Sequence, residues 1–496
     1  MMHKLYDVVF DNRKDRQELY IKYDSNKTEI QRKSILCSEV NTELNLCTYF
    51  NSFSIKKWKQ YTTIKKLYIK ADILGIFDVT IYGINNDNEI VLKKIENTSV
   101  LDVMIPLDGS DFYILALKIM SKQANSKIEN ITYYGDFETW ESKKIGVVIC
   151  TFQREEYVQR TINKLVSFSR EGNDWLSIVV VDNGRSLEET NLDNLKIIHN
   201  PNFGGSGGFT RGIIENLENN INDYVLLMDD DIDIDITALE RTYALLSSLK
   251  DEYKESFLSG AMLNIDRPCM QYENTAYWNK IKLCGLGKDY NLLKKESLIS
   301  NIKIKDYINH YAAWWYCCIP VCRIKEIGLP LPFFIKGDDI EYSIRNNRKI
   351  IFMNGVAVWH EPFAKKIVPW INYFSDRNML ILNFYAENCN SLTFFISAIG
   401  RLIKRGIWNN FNGINVLYYA ISDVYSGFEE ITKIGADKKL ANIRKSVNNK
   451  SSLKQIFKIL YIAVRIIFNY KKYKNIYVDF RNYTVNADFW KSYYEK

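Results

Sequence analysis

Residues 224–234 read YVLLMDDDIDI. Five mostly apolar residues that suit a buried strand run straight into Asp229, Asp230 and Asp231. Three adjacent carboxylates repel one another, and packing alone accounts poorly for them. A carboxylate cluster at a strand end can bind a hard divalent cation or sit beside a nucleotide phosphate. Helix capping is the structural alternative; it suits Asp233 or Asp235, ahead of the helical pattern ALERTYALL, better than the triplet.

Working outward from this strand, three more short apolar runs share its character: KKIGVVICTF from Lys143, LSIVVVDNG from Leu176 and LKIIHN from Leu195. Between the first two, EEYVQRTINKLVSF has helical spacing at Val158, Ile162, Leu165 and Val166. Strands alternating with helices predict βαβ units and a parallel sheet. The strands end on Thr151, Asp182, Asn200 and Asp229, and ligands of open α/β sheets bind beyond the carboxyl ends of the strands. Four polar strand ends therefore predict one cleft.

The flanks differ. Residues 1–140 show short alternating runs broken by Gly, Asn and Asp, which predicts a β-sandwich. Residues 141–375 form the α/β domain, and residues 376–496 read as mostly helical. With 496 residues, 47% hydrophobic and 25% charged, the chain fits a soluble globular protein of two or three domains. Nine cysteines without paired spacing fit a reducing cytosol, and the charged N-terminus lacks a secretory signal. Arg401–Lys496 holds 18 Lys/Arg against 7 Asp/Glu, a net +11, while the whole chain carries +7. That asymmetry predicts an anionic partner. No nucleic-acid reading module is recognisable, so an anionic membrane surface is expected instead. The run LKQIFKILYIAVRIIFNYKKYK, interrupted by Lys458 and Arg465, reads equally as an interfacial helix or as a core helix of a bundle.

Four further motifs carry candidate chemistry. NPNFGGSGGFTRG, Asn200–Gly212, offers glycines for close backbone approach, with a helix expected to open near Phe209; a plain flexible turn is the alternative. FFIKGDDIEY places Asp338 and Asp339 at a helix start, as base or as helix-capping acids. VAVWHEPF ends an apolar strand on His360, which with Asp229 and Asp231 would make a two-carboxylate, one-imidazole site suited to Mn²⁺. In HYAAWWYCCIP, Trp314 and Trp315 should face opposite ways, leaving one for the core and one for a sugar ring.

The ordered set CTFQRE, VVVDNG, NPNFGGSGGFTRG, LLMDDD, AAWWYCCIP, KGDDIEY and VWHEPF resembles the family 2 glycosyltransferases of the GT-A fold. Within them it resembles the bacterial galactofuranosyltransferases, which also carry an N-terminal β-sandwich and a helical C-terminal region. The resemblance implies an inverting, metal-dependent hexosyltransferase with Mn²⁺ or Mg²⁺ as cofactor. The implied transfer runs from UDP-galactofuranose to a glycan or lipid-linked glycan in bacterial cell-wall polysaccharide synthesis. It implies Asp229, Asp231 and His360 as metal ligands and Asp339 as catalytic base. The implied nucleotide-sugar residues are Thr151, Phe152, Arg154, Asp182, Asn183, Asn202, Gly205 and Asp230. Trp314, Trp315 and Asp338 would shape the acceptor side, and YFSDRN, with Arg377, matches a family segment without an assigned role. GDD stands where the mycobacterial relatives have WDD. The expected location is cytoplasmic, peripheral to the inner face of the cell membrane, and a homo-oligomer is left open. The alternatives are a rhamnosyltransferase using dTDP-rhamnose and a non-catalytic sugar-binding scaffold.

Overall fold

The computed structural model describes residues 1–495 apart from 87, 363–368, 388, 409–411, 428, 433–435 and 448–452. The end of the VWHEPF motif therefore lies outside the described residues.

The N-terminal region is a β-sandwich. One sheet runs Thr28–Gln31, Ser34–Cys37, Ser126–Phe137, Ile64–Leu74 and Leu101–Pro106, with Met2–Asp7 also paired to Ser126–Phe137. The other runs Lys22–Tyr23, Glu43–Asn45, Ile114–Ser121, Phe77–Asn85 and Asn88–Thr98. Alternation produces this packing: in Leu101–Pro106 every second side chain, Leu101, Val103 and Ile105, turns inward and is buried. The sandwich is not a separate bead. Its apolar interior is continuous with one face of the central sheet, through Phe50, Trp58 and Trp359.

The central region is α/β around an eight-stranded sheet. Ile145–Thr151 lies at its middle, parallel to Leu176–Asp182 on one side and Tyr224–Asp229 on the other. Leu195–His199 extends the parallel part, and Tyr316–Pro320 joins Tyr224–Asp229 antiparallel. These strands read as nearly unbroken apolar runs because helices cover both faces. Register then sets the cleft: Thr151 stands opposite Asp182, Cys150 opposite Asp229, and Asp182 opposite His199. A second sheet places Asp233–Ile234 beside Ala357–His360, which in turn pairs with Ala261–Asn264.

Helix Gly204–Asn219 opens five residues earlier than its sequence suggests. Glycine is a poor helix former, so propensity favours a loop there. Close packing overrides it: a Cβ at Gly208 would lie 2.1 Å from Cys150 Sγ, and one at Gly212 2.2 Å from Val148 Cγ1. The glycines let the helix lie flat on the central strand.

The C-terminal region is helical, beginning with Pro369–Tyr385 and Ser391–Trp408 and including Leu453–Phe468. Its last helix, Ala487–Tyr494, returns to the central region. Trp490 is fully buried there and donates to Pro330 O, while Tyr494 donates to Gly207 O. Among the described residues no helix is long and apolar enough to cross a membrane.

Candidate active site

Asp229 ends its strand, and the chain then turns through Asp230 and Asp231. Because the backbone leaves the strand here, adjacent acids need not alternate in direction. Asp231 Oδ1 lies 3.0 Å from His360 Nε2, and Asp229 Oδ2 lies 3.5 Å from the same nitrogen. One ligand atom from each of Asp229, Asp231 and His360 falls within 4.8 Å of the others. His360 Nδ1 faces Glu361 O at 2.6 Å, which leaves Nε2 for the acids. Two carboxylate oxygens and one imidazole nitrogen, gathered in this way, fit a divalent transition ion.

Asp230 turns toward Thr151 and Arg154. It accepts from Thr151 Oγ1 at 2.9 Å and from Arg154 Nη1 at 3.0 Å, and Arg154 also reaches Asp231 Oδ2 at 2.8 Å. Burial, reinforced by the charges of Asp231 and Asp229, pushes the Asp230 carboxyl up to about 6 even against Arg154. Asp182 is fully buried. It accepts from the backbone N–H groups of Gly184, Ser186 and Leu187, which fixes the loop after its strand. Asn183 and Asn200 lock to each other, and Asn183 donates to Gly204 O. Asn202 caps Gly204 N, and Phe152 lies exposed at the rim. Gly205 is the open glycine of its cluster: an added Cβ would meet only Phe209, at 4.0 Å.

Helix Asp338–Asn346 begins with the two acids of GDD. Asp338 is buried and accepts from Ser206 Oγ at 2.8 Å. Asp339 is half-buried, accepts from the N–H of Ile340, and feels the charges of both Asp338 and Asp229. Burial, then Asp338, pushes its carboxyl up to about 8. Below that value the group is mostly protonated, and its ionised fraction, which grows as pH rises toward 8, is a stronger base than an ordinary aspartate.

The YFSDRN motif has a structural task. Phe334, Lys336 and Gly337 all have left-handed backbone, at φ 72°, 65° and 88°. Asn378 Nδ2 donates to the carbonyls of Phe333, Ile335 and Lys336, and Arg377 also donates to Phe333 O. This segment holds the irregular loop that delivers Asp339. Asp376, beside it, is paired with Arg401 and Arg405 of the helical region.

Trp314 and Trp315 require a correction. They do face opposite ways, but both faces are core: each is 4% exposed. Trp314 packs edge-on to Phe209, and Trp315 donates to Gly260 O. Neither leaves an open ring face for a sugar. Glu273, which drew no attention in the sequence, is a buried carboxyl that burial pushes up to about 7. Tyr311 feels the charges of both Glu273 and Asp339. The only sequence signal of Glu273 is an acid ending the short strand Met270–Glu273.

Two family models match separate parts of this chain. Residues 146–253 match the model described as "Glycosyl transferase family 2". The chain carries a family 2 glycosyltransferase domain. Residues 9–120 match "Galactofuranosyltransferase 2 N-terminal", so the sandwich and the glycosyltransferase domain match models that bear on one enzyme class. The galactofuranosyltransferase GlfT2 of Mycolicibacterium smegmatis is 23% identical over 459 residues, covering 85% of this chain and 70% of that protein. GlfT2 of Mycobacterium tuberculosis is 23% identical over 474 residues, covering 87% and 74%. Among solved structures, Staphylococcus aureus TarS 1–349 in complex with UDP-GlcNAc aligns with 15% identity and a TM-score of 0.37. That alignment covers 66% of this chain and 92% of that one. The residues matched by the family 2 model take in the parallel part of the central sheet and the acidic triplet at the end of Tyr224–Asp229.

Proposed function

We propose that the protein transfers galactofuranose from UDP-galactofuranose to a hydroxyl of a glycan or lipid-linked glycan, with inversion, in the synthesis of a bacterial surface polysaccharide. The reading is supported by a three-ligand group, Asp229, Asp231 and His360, and by a half-buried carboxyl, Asp339, that feels the charge of Asp229. In this reading the first group holds Mn²⁺ or Mg²⁺. Bound there, such an ion supplies Lewis-acid charge to the diphosphate leaving group. Thr151, Arg154 and Asp182 line the nucleotide side, with Asp230 toward the ribose or sugar. Asp339 takes the proton of the acceptor hydroxyl as that oxygen attacks the anomeric carbon, and Asp338, held by Ser206, fixes the start of its helix. One in-line displacement inverts the configuration and requires no protein nucleophile. The galactofuranosyl choice is supported by the matching N-terminal model and by the GlfT2 relatives.

The test is a panel of nucleotide sugars with Mn²⁺, scored by release of UDP or dTDP. Turnover of UDP-galactofuranose is expected; turnover of dTDP-rhamnose in its place removes the sugar assignment. Asp339→Asn is expected to abolish transfer while UDP still binds, and undiminished transfer removes the base assignment.

The membrane-facing part of the proposal gains support from helix Leu453–Phe468. Ile459, Ile462 and Ile466 are buried in the helical core, yet Leu453, Phe457, Tyr461 and Phe468 form an exposed apolar stripe on the other side, flanked by Lys454, Lys458 and Arg465. Apolar side chains edged by cations suit the interface of an anionic bilayer, where a lipid-linked acceptor sits. Flotation with anionic liposomes is expected to carry the protein, and Phe457→Ser with Phe468→Ser to weaken it. Flotation that is absent at low salt removes this part of the reading.

A further inference from the structure

Among the places where the sandwich meets the glycosyltransferase domain is the stretch that follows the acidic triplet. Arg32 makes a two-pronged pair with Asp235 at 2.9 and 3.0 Å, and Tyr20 adds its hydroxyl at 2.7 Å. Lys4 pairs with Glu240, and Arg241 stacks on Tyr6 at 3.7 Å.

Arg16 is different. Its Nη1 donates to Asp233 Oδ2 at 2.6 Å, while its guanidinium carbon lies 3.8 Å from the ring centroid of Trp359. Asp233 and Trp359 are direct cross-strand partners. One step beyond Trp359 is His360; two steps before Asp233 is Asp231. Arg16 therefore binds both members of the pair adjoining the ion-binding group, from a different region of the chain. On the far side Lys164 Nζ holds the other oxygen of Asp233 at 2.6 Å, and Trp359 donates to Pro268 O at 3.0 Å. The cross-strand pair is thus fixed from several directions. Nε and Nη2 of this 2%-exposed arginine have no hydrogen-bond partner among the described residues. A buried charge kept for stability alone is often replaceable by an apolar side chain of similar size. An arginine retained with unused donors points to a task of position.

We propose that Arg16 is a positioning residue for the ion-binding group, so that the N-terminal sandwich sets the separation of Asp231 and His360. The inference rests on the proposed ion site. Outer groups that orient metal ligands typically change metal affinity by about 10–100-fold when removed. Mn²⁺ binding to the full chain is measured by the electron paramagnetic resonance signal of free Mn²⁺, alongside thermal unfolding. Arg16→Met is expected to weaken Mn²⁺ binding at least about tenfold with little loss of melting temperature. Arg32→Met is expected to lower the melting temperature while leaving Mn²⁺ affinity within about twofold, as for a site with no shared partners. Parental Mn²⁺ affinity in Arg16→Met overturns the proposal. If that variant does not fold, Arg16→Lys, which keeps the charge but not the planar stack, is expected to show a smaller loss of affinity; parental affinity there overturns it equally. His360→Ala separates the two ideas. Lost binding in His360→Ala with parental binding in Arg16→Met defeats the positioning role alone, whereas parental binding in His360→Ala defeats the ion site and with it this inference.

Discussion

Seven consecutive residues, Asp229–Asp235, contain five aspartates, and the two ends of the run lead opposite lives. Asp233 and Asp235 are met by cations of the protein. Burial works to raise both carboxyls, yet Lys164 and Arg16 hold Asp233, and Arg32 with Tyr20 holds Asp235, below the usual carboxylate range. Asp230 and Asp231 pair with Arg154, Asp229 and Asp231 face His360, and Asp230 is pushed upward instead. A buried carboxylate that the fold neutralises serves architecture. A cluster of acids gathered with one histidine nitrogen has the donor set of the proposed cation site. Residue type does not separate the two; the supply of counter-charge does.

Substitutions can break that contrast. The largest effect is expected from Asp229→Asn: transfer falls about a thousandfold, the scale of several kcal/mol of Lewis-acid stabilisation. The melting temperature without metal stays level or rises, because one of three repelling charges is gone. Initial-rate assays and thermal scans on one preparation check both halves. Asp235→Asn should do the reverse. It weakens a buried charge pair whose arginine is partly in water, and is expected to cost about 2 kcal/mol of stability. Kinetic constants of the folded enzyme should stay within a few-fold, as read from urea unfolding and turnover at low temperature.

The smallest effect concerns pH. The folded-state carboxyl of Asp339 lies at about 8, well above an unfolded aspartate near 3.9. Its contribution to stability is full below the unfolded value and is lost as pH rises through the folded one. Asp233 and Asp235 carry depressed values, so their contribution is present above the unfolded value and is lost as pH falls. Asp339→Asn is therefore expected to gain melting temperature over the parent by a margin that widens from pH 5 to pH 8. A margin that is constant or narrows with pH contradicts the assignment.

Much of this was legible in the chain. Apolar runs of strand length, each ending on a polar residue, predicted the parallel sheet and its cleft, because a strand buried on both faces must be apolar until it reaches solvent. LLMDDD and VWHEPF marked Asp229, Asp231 and His360, which the fold brings together, whereas the role of Asp339 rested on the family resemblance. The glycine helix was misread as a loop, since propensity is local while the demand of Val148 and Cys150 for space is not. The paired tryptophans were half misread: alternation gave their opposite directions but not that each direction led to a core. Glu273 was missed because one acid at the end of a short strand has no pattern to distinguish it.

Sequence alone determined which segments must be strands, which acids packing could not explain, and that the C-terminal end is basic. Those properties follow from short-range periodicity and composition. Tertiary structure alone decided that Asp233 meets Arg16, 217 residues away, while Asp231 is turned to His360. The reason is electrostatic: the charge state and task of a buried carboxylate depend on which cation the fold delivers within a few ångströms, and no local stretch of sequence encodes that partner.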